Sequence, residues 1–291
     1  LPWQHCSPAA AAALKFSPGA HPLRSRHLRA RSLSELLLDM GNTNSSKRLE
    51  RADKTGVLVL INQMPPLTKV PDAALTMATL RTLDLSHNLI AHARGIGGLR
   101  GSLTSLTLAH NRITELDPTI GTLVKLELLD LRNNRLTTLP APIVGCARLK
   151  KLHLDHNVIT ELPSAIGDLA ALAILTAAHN KLATLPDDFG RLATLVEADL
   201  SSNDLAMLPS SLGGCKRLRL LKLSGNPNLA PLPAPLLTET PLDRVEVDDH
   251  LLGSDGLLGG EGADAYNARR KLRQDKELVS KLHGGDLKFS T

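Results

Sequence analysis

Four histidines stand in one recurring place: His87, His110, His156 and His179 each immediately precede an asparagine. They fall into two pairs 23 residues apart, with Asn133 holding the same place between the pairs. Imidazoles brought side by side in this way can bind a transition metal or titrate near neutrality. The same slot is filled elsewhere by Asn133, Ser202, Gly225 and Asp249, however, and no carboxylate or thiol completes a ligand set. We therefore expect a polar surface row, with partner contact as its functional alternative, and neither metal nor cofactor.

Cysteine offers as little chemistry. Cys6, Cys146 and Cys215 are an odd, sparse set rather than a disulfide framework. Cys146 and Cys215 share one slot three units apart, which at 4.8 Å per stacked strand separates them by roughly 14 Å, too far for a bridge. Both are expected to be small buried hydrophobes. A phosphate-binding loop, a nucleophile elbow, zinc-type cysteine pairs and the H-E-x-x-H pattern are all missing from the sequence. The reading is non-enzymatic, with no small-molecule substrate.

The elements that carry these residues repeat. "LRTLDLSHNLI" (80–90), "LTSLTLAHNRI" (103–113), "LELLDLRNNRL" (126–136) and "LKKLHLDHNVI" (149–159) align, followed by "LAILTAAHNKL" (172–182), "LVEADLSSNDL" (195–205) and "LRLLKLSGNPN" (218–228). The asparagines Asn88, Asn111, Asn134, Asn157, Asn180, Asn203 and Asn226 are spaced by 23 residues throughout. Alternating leucines in each unit predict a short strand with one buried face. Where the strand turns away, inward-pointing backbone groups need partners, and a buried amide supplies both donor and acceptor. A ladder of stacked asparagines is the result. The second half of each unit, as in "LPSAIGDL" (162–169), combines proline and glycine and predicts extended or 3₁₀ structure on the convex side.

This unit resembles the leucine-rich repeat, L-x-x-L-x-L-x-x-N-x-L. The resemblance implies an α/β repeat solenoid, a horseshoe of 23-residue units with a parallel sheet on its concave face. One unit cannot bury its own leucines, but stacked neighbours can, at roughly 1.5–3 kcal/mol per fully buried side chain.

Both ends depart from the pattern. Residues 55–79 read as an N-terminal cap without a ladder asparagine, and residues 80–252 as the repeats, with His250 in the asparagine slot of the last. Residues 253–291 read as a glycine-rich linker and a capping helix whose Tyr266, Leu272, Val279 and Leu282 can dock on the open end; a basic partner-binding tail is the alternative. Residues 40–54 read as a tail. Residues 1–39 read as an unstructured leader, with an arginine-rich, transit-like extension to an organelle as the alternative.

The stretch from Met40 onward is also similar to a narrower family, leucine-rich repeat-containing protein fifty-seven. Met40-Gly41-Asn42 matches its start, Lys54–Val57 ("KTGV") its pre-cap segment, and Glu261, Gly262, Asp264, Tyr266 and Arg269 its E-G-x-D-x-Y-x-x-R segment. With Met40 as initiator, Gly41 to Ser45 fit the N-myristoylation pattern, and the family resemblance implies the same lipid anchor on Gly41. The chemistry needs a free amino group on Gly41. One acyl chain holds a membrane only marginally, and Lys47, Arg48 and Arg51 would add weak attraction to anionic lipid.

Charge and composition narrow the partners. Residues 1–51 hold 8 basic and 3 acidic side chains, whereas residues 52–291 hold 26 of each, so the basic balance lies at the front and the repeats have no nucleic-acid-binding patch. The chain is 42% hydrophobic but only 2% aromatic, so aliphatic residues must build the core. No run approaches the roughly 18 apolar residues of a membrane span. Cysteine-poor ends point to a reducing, cytoplasmic setting, with peripheral membrane attachment through Gly41. Candidate concave-face contacts are Asp84, His87, His110, Asp130, Arg132, His153, Asp155, His156, His179, Asp199 and Lys222. Mixed charge on a broad curved surface points to a protein-interaction scaffold. The alternative is a regulatory subunit docking on a phosphatase or small GTPase.

Overall fold

The computed structural model describes residues 43–251 and 261–284. Its centre is one parallel sheet of nine three-residue strands in chain order. They are β1 (Val57–Val59), β2 (Thr82–Asp84), β3 (Ser105–Thr107), β4 (Leu128–Asp130), β5 (Lys151–His153), β6 (Ile174–Thr176), β7 (Glu197–Asp199), β8 (Leu220–Lys222) and β9 (Arg244–Glu246). The alternation of the sequence sets which way each residue points. The middle residue of each of β2 to β8 is buried, and its two neighbours face the concave side. Leu83 pairs with Leu106, and Leu106 with Leu129, each step being 23 positions. The first and last steps are longer, Leu58 pairing with Leu83 and Leu221 with Val245, because the end coils carry extra loop residues.

Each ladder asparagine ties two coils together. Asn111 Nδ2 donates to the carbonyls of Leu108 on its own coil and Leu85 on the preceding one, both at 3.0 Å. Its Oδ1 accepts from the Ile90 amide at 3.0 Å. Asn157 repeats the pattern on Leu154, Leu131 and Leu136, and Asn226 does so on Leu223, Leu200 and Leu205. All seven asparagines are buried. In the first coil, buried Gln63 takes the corresponding place; its backbone N–H donates to Asn88 Oδ1 at 3.3 Å and its side-chain Nε2 to the Ile61 carbonyl at 2.9 Å. His250, expected in the last asparagine slot, lies in a 3₁₀ turn, Asp249–Leu251, with Nε2 3.3 Å from the Leu229 carbonyl.

Convex crossings between neighbouring strands are mostly 3₁₀ turns, among them Pro118–Thr122, Ser164–Asp168 and Ser210–Gly214. A fixed-φ proline at the entry and a tight i to i+3 ring suit so short a crossing, though Ile96–Leu99 is entered through Gly95 instead. The glycine in these turns serves packing rather than a reversed backbone. A Cβ on Gly167 would overlap the carbonyl oxygen of Asp188 on the next coil, so the glycine sets how closely the coils approach.

The ends are closed by helices. Expected as a tail, residues from Thr43 onward form α1 (Thr43–Thr55), whose Leu49 and Ala52 are fully buried over the first coil. Next come α2 (Asp72–Leu75) in the cap and α3 (Ala234–Glu239), which replaces the 3₁₀ turn of the last crossing. α4 (Ala263–Gly284) packs against α3. Its Ala263 and Tyr266 are buried, but Leu272, expected to dock, is 56% exposed. The helix instead docks through its first turns: Val245 N–H donates to Tyr266 Oη at 3.3 Å, Arg269 Nε donates to the Leu242 carbonyl at 2.8 Å, and Arg269 Nη2 also donates to the Leu237 carbonyl. Gly262 opens this segment with φ +84°, which only glycine adopts at little cost, in a site where a Cβ would press on Thr238 and Leu237. The leader 1–39, Gly41, the glycine-rich stretch before the helix and the side chains of Val279 and Leu282 lie outside the described residues.

Candidate functional site

The concave face is built from the two outer residues of every strand and the residue that follows each strand's buried second leucine. Three of its aspartates hold the backbone as well as facing outward. Asp84, Asp130 and Asp199 each accept the amide N–H two residues on, from Ser86 at 3.0 Å, Arg132 at 3.1 Å and Ser201 at 3.1 Å. Aspartate is suited to this local turn-closing bond. The sequence reading missed that role, although the recurring Asp-Leu-x tripeptide at the strand exits carries the signal.

Charges at the centre of the face are tied down. Arg132 chelates Asp130, Nε to Oδ1 at 3.0 Å and Nη2 to Oδ2 at 2.7 Å. Burial opposes ionisation of Asp130, but the hydrogen bonds and charge of Arg132 prevail and hold its carboxyl below the usual carboxylate range. On the next coils, Asp155 accepts the Thr176 hydroxyl at 2.5 Å and the Ala178 amide at 2.8 Å. The Thr176 proton is thereby used, so His153 Nδ1, 3.0 Å from Thr176 Oγ1, must be the protonated ring nitrogen. Burial lowers the His153 pKa, assisted by Arg132 and opposed by Asp130. Lys222 Nζ lies 3.3 Å from Asp199 Oδ2.

The histidine row has a backbone explanation. His87, His110, Asn133, His156, His179 and Ser202 all have φ between 53° and 56°, and Gly225 has φ 78°. This is the left-handed region, in which asparagine and histidine are enriched among non-glycine residues. Asp249 does not share the geometry. The rings stack in pairs, His87 on His110 with centroids 4.1 Å apart and His156 on His179 at 4.3 Å. Asn133 Nδ2 lies 3.4 Å from His110 Nε2. Burial, then the neighbouring charge of His87, lowers the His110 pKa. Among the described residues no group of three or more His, Cys, Asp or Glu could hold a metal ion.

Two other sets of candidates separate spatially. Cys146 and Cys215 are fully buried under the convex side, and their thiols are pushed up to about 11 by burial, so they are poor nucleophiles. Of the basic residues on α1, Arg48 and Arg51 line a cleft beside β1, while Lys47 is exposed. Among the described residues, no helix is long and apolar enough to cross a membrane.

The comparisons agree with this geometry. A family model described as leucine rich repeat matches residues 101–159. No curated protein matches the chain as a sequence relative. Among solved structures, a leucine-rich repeat protein of Leptospira interrogans is 30% identical, with a TM-score of 0.54, over 69% of this chain and 57% of that one. Internalin C2 of Listeria monocytogenes is 20% identical with a TM-score of 0.63, over 73% of this chain and 96% of that one. The leucine-rich effector YopM of Yersinia pestis is 23% identical with a TM-score of 0.56, over 75% of this chain and 58% of that one. The chain thus spans a little over half the length of the Leptospira and Yersinia proteins, and its fold is a leucine-rich repeat solenoid.

Proposed function

We propose that the chain is a non-enzymatic scaffold that binds a folded protein partner in its concave face. One observation carries the reading. The strands present an open, curved surface of mixed charge in which Asp130, Arg132, His153 and Asp155 are already oriented by hydrogen bonds to their neighbours. Side chains fixed before binding lose little conformational freedom on association, and a broad shallow surface suits a protein rather than a small ligand.

The test exchanges charges that the fold does not use. Exposed Lys151 and half-buried Glu197 sit on the concave face without a role in the ladder. Lys151→Glu with Glu197→Lys should leave the melting temperature unchanged and abolish partner recovery in a pull-down at physiological salt. Recovery unaffected by the exchange rejects the concave face, and failure of the unaltered protein to recover any partner rejects the scaffold reading.

Attachment to a cytoplasmic membrane surface through an acylated Gly41 is the second part of the proposal. It is supported by the Gly41-to-Ser45 pattern and by exposed Lys47 close behind it. Intact-mass measurement of protein purified from its native cell tests it, the expected result being a chain beginning at Gly41 with one added fatty acyl mass.

A further inference from the structure

The two edges of the sheet are finished differently. At the C-terminal edge, β9 is closed from outside: Val245 N–H donates to Tyr266 Oη at 3.3 Å, and Arg273 Nε donates to the Asp243 carbonyl at 3.3 Å. At the N-terminal edge, the even residues of the first coil bond to β2, as in Leu60 N–H to the Asp84 carbonyl at 2.8 Å. Odd residues therefore turn their backbone groups outward. Among the described residues, the Val57 amide there meets Thr55 Oγ1 at 3.3 Å, the Val59 carbonyl meets only Arg48 Nη1 at 3.5 Å, and the Ile61 carbonyl accepts from Gln63 Nε2 at 2.9 Å. The amides of Val59 and Ile61 find no acceptor among the described residues.

This open edge is apolar. The run "VLVLI" (57–61) has neither charge nor proline, the usual means of blunting an edge strand. Val57, Val59 and Ile61 are 47%, 40% and 39% exposed, whereas the polar pairs Thr82 with Asp84 and Ser105 with Thr107 fill the concave positions of the next two coils. Beside the edge runs a cleft of about 560 Å³ lined by Arg48, Arg51 and Thr55 of α1 and by the same three apolar residues.

We infer that the outer edge of β1 is a strand-addition site for an extended segment of a partner protein, with β-branched or other apolar side chains at alternate positions and a carboxylate directed to Arg48 and Arg51. Unpaired amides at Val59 and Ile61 supply main-chain bonds, the three exposed side chains supply cross-strand apolar contacts, and the two guanidiniums supply the charge preference. Charge also argues against a second copy as the occupant, because two-fold pairing of β1 edges would set Arg48 and Arg51 near their own symmetry mates. The site is separate from the concave centre proposed above and uses none of its residues.

A random peptide library displayed on phage, selected on the full chain, supplies the probe, and the strongest clone is then synthesised as free peptide. The expected sequences alternate apolar residues and contain Asp or Glu. Binding should slow hydrogen exchange at the Val59 and Ile61 amides at least tenfold. Val59→Pro removes an edge donor without removing a bond to β2 and should abolish binding. Arg48→Glu with Arg51→Glu, both exposed, should weaken it by about tenfold, while Lys151→Glu with Glu197→Lys should leave it unchanged, which separates this site from the concave one. Should Val59→Pro fail to fold, the arginine pair and the exchange measurement decide. The inference is overturned if no selected peptide depends on Arg48 and Arg51. It is equally overturned if the Val59 and Ile61 amides are already protected in the free protein, by its own chain or a second copy. Binding of phosphatidylserine vesicles that is lost in the arginine variant, with no peptide selected, would overturn it in favour of a lipid surface.

Discussion

Tyr266 and Val245 are 21 positions apart in sequence, yet the hydroxyl of the first accepts the outward amide of the second at 3.3 Å. That bond, with the arginine contacts beside it, ends the sheet. A buried backbone donor left without a partner costs about 1–3 kcal/mol. Tyr266→Phe should therefore lower stability by about 1 kcal/mol and speed amide exchange in β9 before it affects the central coils. Tyr266→Ala, which also removes the ring that seals the last coil, should cost about 3–5 kcal/mol. Urea titration read alongside hydrogen exchange distinguishes local fraying from global loss.

Asn157 occupies the middle of the ladder, so its removal cannot be absorbed by fraying. Asn157→Ala would strand the amide of Leu136 inside the solenoid and take one of two donors from the carbonyls of Leu131 and Leu154, which keep Asn134 and Asn180. With about 1–3 kcal/mol for the stranded amide and about 1 kcal/mol for each lost carbonyl bond, the loss should be roughly 3 kcal/mol. Asn157→Asp should be similarly harmful, because two donors become acceptors aimed at carbonyls. Midpoints of chemical denaturation check both.

Backbone geometry predicts a residue-specific response in the histidine row. His179 is exposed and has φ 55°. His179→Asn should be nearly neutral. His179→Val forces a β-branched residue into the left-handed region and should cost about 1–2 kcal/mol. Equal melting temperatures for the two variants would show that the slot is not conformationally selective.

Acid should weaken the fold through two histidines. His110 and His153 both have pKa values lowered from 6.5, in each case first by burial, and because the His110 ring is largely exposed, half-buried His153 carries most of the effect. Below pH 6.5 the unfolded chain therefore binds more protons at these sites than the folded one. Their contribution is fully present above the unfolded pKa and is lost as pH falls through it toward the folded values. The melting temperature should drop between about pH 7.5 and about pH 5.5, and the drop should be smaller in His110→Asn with His153→Gln.

Native Cys146 and Cys215 should resist iodoacetamide at mildly alkaline pH, since burial raises both thiols to about 11. Labelling of these two sites should appear only with unfolding, a difference that peptide mass mapping resolves.

Much of the molecule was legible in the sequence because a solenoid is close to one-dimensional. Leucine alternation and asparagine spacing specify each strand and its join to the coil before it. The ends were less legible. Residues 43–54 are polar enough to read as a tail, yet two fully buried side chains, Leu49 and Ala52, and the bond from the Thr79 hydroxyl to the Asp53 carbonyl dock α1. The histidine row looked like candidate chemistry, while its common cause is a left-handed turn that the residue types only hint at.

By itself, the sequence determined the repeat, the direction of every strand side chain and the identity of the residues that bridge coils, because these depend on neighbours at fixed offsets. Tertiary structure alone decided how the solenoid stops. Tyr266 and Arg273 close one edge, while at the other, among the described residues, the amides of Val59 and Ile61 have no acceptor. Edge closure depends on where a distant helix docks, and no local periodicity encodes that.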